Sequence, residues 1–161
     1  MSAVAVRTVR DGKHVLRFHA EVLGAGTSER LGVPRWSELT VYRLGDRQYL
    51  VSRVGRSTVA HRPDCTHARR WMLAYGVARE EALVRRTACP ECQPAVDNTM
   101  DPQTLLETTL YTVLQAHSPE QLLEVLLEGR TPVPQIVQDV VRQVCKSDTE
   151  VAQLWALEAR S

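Results

Sequence analysis

Two short residue pairs near the middle of the chain have the types and spacing to do chemistry. His61 and Cys65 are separated by three residues, Cys89 and Cys92 by two, and 23 residues lie between the pairs. Thiolates and a neutral imidazole are soft donors, and two close pairs joined by a loop can converge tetrahedrally on Zn²⁺ without long-range chain strain. Cys89-Pro90-Glu91-Cys92 reads as a knuckle whose short gap turns both sulfurs inward. Pro63 disfavours a helical Arg62, which puts the first pair on a loop. Four protein ligands close the metal's shell, so the expected zinc is structural rather than catalytic. His67 is the alternative to His61 as a donor, and a redox dithiol at Cys89 and Cys92 is the competing chemistry. Three thiolates and one imidazole around Zn²⁺ carry about one negative charge, which Arg62, Arg69, Arg85 or Arg86 can offset.

The elements that must position these donors are read from hydrophobic period and turn chemistry. His14 to Leu23 reads as a strand. Glu38 to Leu44 and Gln48 to Val54 flank the turn pair Gly45-Asp46 as a hairpin. Gly24 to Ser28 and Gly32 to Pro34 are loop signals, and a short strand from Ser57 to Ala60 delivers the chain to His61. Asp64 caps a short helix with Ala68, Trp71, Met72 and Tyr75 on one face and Gly76 as its stop, and Glu80 to Arg86 forms a further turn. Four helices are expected after residue 100. Asp101-Pro102 opens one carrying Leu105, Leu106, Leu110, Val113 and Leu114, and Ser118-Pro119-Glu120-Gln121 opens a second through a capping box. Pro134 opens a third and Asp148 caps a fourth.

The composition, 43% apolar and 24% charged over 161 residues, is that of an ordinary globular chain with room for one domain or two small units. No apolar run approaches the roughly 18 residues of a membrane span, and the stretch MSAVAVRTVRDGK lacks a signal-peptide core. A cytoplasmic protein without a membrane partner is therefore expected, and in a reducing compartment clustered cysteines favour metal over disulfide. The net charge of +1 hides an asymmetry. Residues 43–86 carry ten Arg against Asp46, Asp64, Glu80 and Glu81, a balance of +6, whereas residues 97–161 stand at −6. Such a split points to two surfaces with different partners, or to two that face each other. Cys145 continues an apolar stripe and reads as a core thiol. Trp36, Trp71 and Trp155 read as core, and His14, His19 and His117 as structural or surface residues.

Tyr49-Leu50-Val51 leading through Gly55 to His61-Arg62-Pro63-Asp64-Cys65, then Ala68-Arg69-Arg70, then Cys89-Pro90-Glu91-Cys92-Gln93-Pro94, resembles the metal-binding domain of Ada-type DNA methyl-phosphotriester repair proteins over residues 48–95. The resemblance implies a zinc module. In that family the first ligand is a cysteine that accepts the methyl group from a DNA phosphotriester; His61 stands in its place here, and imidazole is not a thiolate acceptor. What the resemblance then implies is the scaffold, a closed zinc site presenting arginines to phosphate.

The expected fold class is α+β. A β-rich section with an Ada-like zinc module fills residues 1–96, and an acidic bundle of about four short helices fills residues 97–161. The expected function is a small zinc-stabilised nucleic-acid-binding or regulatory accessory protein without methyl-acceptor activity. Arg53, Arg56, Arg62, Arg69, Arg70, Arg85 and Arg86 would lie on DNA or RNA phosphates. The alternative is a protein-interaction adaptor whose zinc is a staple and whose helices, within residues 101–160, bind a partner or a second copy. No phosphate-binding glycine loop, paired-carboxylate pattern or Ser-His-Asp signal stands out, so positive evidence for an enzyme is absent from the sequence.

Overall fold

The computed structural model describes residues 3–30, 35–57, 59–61, 87–88, 106–107 and 110–158. Strands β1 (Ala5–Asp11) and β2 (His14–Thr27) form a hairpin closed by a two-residue turn, with Gly12 at φ 57° supplying the left-handed backbone that the turn needs. The expected second hairpin is present as β3 (Arg35–Gly45) and β4 (Gln48–Ser57), where Gly45 pairs with Gln48. Three short strands follow: β5 (Val59–His61), β6 (Thr87–Ala88) and β7 (Leu106–Glu107). They form a separate three-stranded sheet in the order β6-β5-β7. Strand β8 (Leu110–Ala116) then returns to pair antiparallel with β4, completing a five-stranded sheet in the order β1-β2-β3-β4-β8.

The sheet is curled. The N–H of Gly12, at the tip of the first hairpin, donates to the Tyr111 carbonyl of β8 at 2.9 Å, and the Arg10 guanidinium lies 4.5 Å from the Tyr111 ring centroid. Phe18 packs edge-on against Tyr42 with ring centroids 5.2 Å apart. The first hairpin therefore overhangs the face that carries Tyr42, Leu50 and Ser52, and the last two of these are buried. The opposite face carries Leu39, Val41, Tyr49 and Val51 at alternate positions, and all four are buried against helices.

Helices α1 (Pro119–Leu127), α2 (Gln135–Ser147) and α3 (Thr149–Glu158) supply the other side of that core. Leu122, Leu123 and Leu126 come from α1, Val137, Val140, Val141 and Val144 from α2, and Val151 from α3. The Ser118 hydroxyl accepts the Gln121 N–H at 3.0 Å, as a capping box requires, while the Gln121 side chain reaches back one residue further to the His117 N–H at 2.7 Å. None of the helices among the described residues is long and apolar enough to cross a membrane.

Two expectations fail. The C-terminal region is not a bundle of about four helices: the described residues hold three helices, and each packs toward one face of the curled antiparallel sheet. The stretch read as the first of those helices forms β7 and β8 instead. Its leucines fit a helical stripe, but Tyr111-Thr112-Val113 is a run of aromatic and β-branched residues, and the open edge of β4 offers seven register pairs from Gly55–Leu110 to Tyr49–Ala116. Pairing that edge outweighs a weak local preference. Gly24 to Ser28 is likewise not a loop, since Gly24 to Thr27 lie within β2. A Cβ on Gly24 would sit 2.9 Å from the Val140 carbonyl oxygen, so the glycine exists to let α2 approach the strand. The approach is locked by Gln143, whose amide exchanges two hydrogen bonds with the Ala25 backbone at 3.0 and 2.9 Å.

Candidate functional site

The small sheet borders the segment of sequence that carries the two His/Cys pairs. Strands β5 and β6 run parallel, with Val59 opposite Thr87 and Ala60 opposite Ala88. β5 ends on His61, and β6 ends on the residue that precedes Cys89 in the chain. Parallel neighbours are about 4.8 Å apart, so the first residue of one His/Cys pair stands beside the strand end that leads in sequence to the first residue of the other. On its other side His61 is paired with Leu106 of β7. Cys65, Cys89, Cys92, the alternative donor His67, Arg62, Arg69, Arg70, Arg85, Arg86 and Trp71 lie outside the described residues.

The two remaining candidate arginines belong to opposite faces of β4. Arg56 gives its Nε to both carboxylate oxygens of Glu38, at 2.9 and 2.7 Å. Arg53 stands in register with Leu39 and Thr112 and so shares the helix-covered face. Its Nη2 donates to the Val125 carbonyl at 2.7 Å, and its Nη1 pairs with Glu128. Arg130, on the connection between α1 and α2, also approaches Glu128, at 3.7 Å. Burial lowers the Arg53 pKa, and the nearby Arg130 charge lowers it further.

At the other end of the same face lies a larger polar network that no local pattern of residues announces. Asp148, between α2 and α3, is buried. Its Oδ1 accepts the Val151 N–H at 3.1 Å and so caps α3, as expected. Its Oδ2 accepts both the Tyr49 hydroxyl and Arg43 Nη2, the latter at 3.0 Å. Arg43 also donates to Glu21 at 2.6 Å and to the Ser147 carbonyl at 3.1 Å. Burial alone would raise the Asp148 carboxyl, but the bonds from Tyr49, Val151 and Arg43 overcome it and hold the group below its ordinary value. The Tyr49 hydroxyl is pushed up, first by burial and then by Asp148. The signal available in the sequence was the cap at Asp148; its partners are 99 and 105 residues away.

A polar recess of about 420 Å³ opens beside this network, bounded by Arg43, Arg47, Tyr49, Asp148 and Glu150. Each of its cations already has two carboxylate partners. Arg43 has Glu21 and Asp148, and Arg47 has Glu120 at 3.4 Å and Glu150 at 3.1 Å. The recess is thus charge-satisfied and serves to fasten the helices to the sheet. Cys145 is half-buried against the core, and burial raises its thiol pKa, which suits a packing residue better than a nucleophile. His14, His19 and His117 are exposed. No family model, curated protein or solved structure matches this chain.

Proposed function

We propose that this is a small nucleic-acid-binding accessory protein. Its zinc, held by His61, Cys65, Cys89 and Cys92, shapes an Ada-like module for phosphate contact without accepting methyl groups. The observation that carries the reading is the parallel register of β5 and β6, which brings the chain at His61 alongside the approach to Cys89. Bound zinc would act as a closed structural cross-link between the two pairs. The arginines assigned to phosphate are Arg62, Arg69, Arg70, Arg85 and Arg86. Arg53 and Arg56 are less suited to that role, because Arg53 is only 25% exposed and turned toward the helices, and Arg56 is held by both oxygens of Glu38.

The full chain should carry one zinc per molecule by elemental analysis, and Cys92→Ser should lose it. Fluorescence anisotropy with labelled DNA and RNA should show binding that weakens steeply with salt, by about 10-fold or more between roughly 50 and 200 mM, and that falls in the Arg69→Ala/Arg70→Ala double variant. A zinc-free wild-type chain after purification with zinc supplied would sink the metal assignment. Salt-insensitive or absent binding would sink the nucleic-acid one.

A further inference from the structure

A second cavity, of about 280 Å³, lies at the Arg53 end of the helix-covered face. Leu39, Arg53 and Thr112 form its floor, and Arg130, Ile136 and Val137 close it from the helical side. Two features separate it from the charge-satisfied recess at Arg43. First, among the described residues Arg53 and Arg130 share one carboxylate, Glu128, while Glu38 at the rim is engaged by Arg56, so three cations meet two carboxylates; Arg130 otherwise donates to the Leu126 and Leu127 carbonyls, at 3.2 and 3.5 Å, which are neutral acceptors. Second, the helix that opens at the cavity, α2, has no side-chain cap at Pro134 and no acidic residue in its first turn, so its own residues do not neutralise its positive end. The walls facing these charges are branched and apolar: Leu39, Ile136 and Val137.

We propose that this cavity binds a small organic monoanion, a carboxylate with a short apolar tail, its charged group between Arg53 and Arg130 and its tail against Leu39, Ile136 and Val137. The charge to be matched is one. The volume lies just under the roughly 300–1,000 Å³ of pockets that take drug-sized ligands, which restricts the ligand to a few heavy atoms. A nucleic-acid backbone does not suit the site, because the Arg53 side chain is only 25% exposed and faces the helices rather than an open surface. The proposal does not depend on the zinc reading.

Hexanoate is the probe, titrated by isothermal calorimetry into the full chain as purified, in low-chloride buffer. One hexanoate should bind per chain. 1-Hexanol, with the same tail and no charge, should bind at least about 10-fold more weakly, as loss of a charge-assisted hydrogen bond implies. Inorganic phosphate, with charge and no tail, should also bind more weakly. Arg53→Gln should lower hexanoate affinity by about 10-fold or more. Because that change also removes the bonds to Val125 and Glu128, Arg130→Gln makes the same test at a side chain 42% exposed whose other bonds, to the Leu126 and Leu127 carbonyls, lie at the end of α1, with an unchanged circular dichroism spectrum as its control. Ser37→Phe, which fills the cavity mouth and keeps both arginines, should abolish binding. The proposal is overturned if hexanoate does not bind, if Arg130→Gln and Ser37→Phe both leave its affinity within about twofold, or if hexanol or phosphate binds as tightly as hexanoate.

Discussion

Arg43 and Arg53 face the same helices from opposite ends of one sheet face, with the row Val41, Val51 and Leu114 between them, yet their surroundings differ. Arg43 meets two carboxylates, Glu21 and Asp148, and one of these also takes the Tyr49 hydroxyl. Arg53 meets one carboxylate, shared with a second cation, and a backbone carbonyl. A buried guanidinium with its full set of acceptors joins elements together, whereas one that is short of negative charge beside a cavity invites a ligand. The difference comes from the helix connections. The junction of α2 and α3 is the single residue Asp148, held rigidly at the sheet, while α1 and α2 are joined by the longer stretch 128–134, which brings Arg130 as well as Glu128.

The contrast predicts unequal consequences when each end is cut. Asp148→Ala should be the most damaging, since it strands the half-buried Arg43 guanidinium and the buried Tyr49 hydroxyl and removes the α3 cap; a loss of about 3 kcal/mol in urea denaturation is expected. The same group sets a pH dependence. Its folded-state pKa lies below the unfolded one, so its contribution is fully present above the unfolded value of about 4 and is lost as pH falls through the folded value beneath it. Wild type should therefore weaken on acidification in that range, and the gap to Asp148→Ala should close; a gap independent of pH would detach Asp148 from its charge partners. Tyr49→Phe removes one buried hydrogen bond and leaves Asp148 with its other donors, so about 1–2 kcal/mol is expected from the same denaturation curves. Arg130→Gln should cost the least, under about 1 kcal/mol, because its ion pair with Glu128 and its bonds to the Leu126 and Leu127 carbonyls are made by a side chain 42% exposed. If it proved as costly as Tyr49→Phe, the two ends would be equivalent fasteners and the contrast would collapse.

Several of these features could be read directly. The β3–β4 hairpin was legible because a turn pair stands between two β-rich runs, and the α1 start because Ser118, Pro119 and Gln121 occupy the positions that cap a helix. Asp148 was legible as a cap for the same local reason. The helical bundle was misread because Leu106 to Leu114 satisfy a helical stripe almost as well as a strand, and the open edge that decides between them belongs to β4, more than fifty residues earlier in the chain. The glycines of β2 look like loop signals until α2 is seen to need the space above Gly24.

The sequence alone determined the local chemistry: the two donor pairs at zinc spacing, the caps, the hairpin turn and the charge split between segments, all of which depend on neighbours a few residues apart. The tertiary structure decided which arginine meets two carboxylates and which shares one. That outcome depends on where Asp148, Glu128 and Arg130 arrive after the chain has crossed the sheet and returned, and a charge 70 to 105 residues away leaves no local pattern to read.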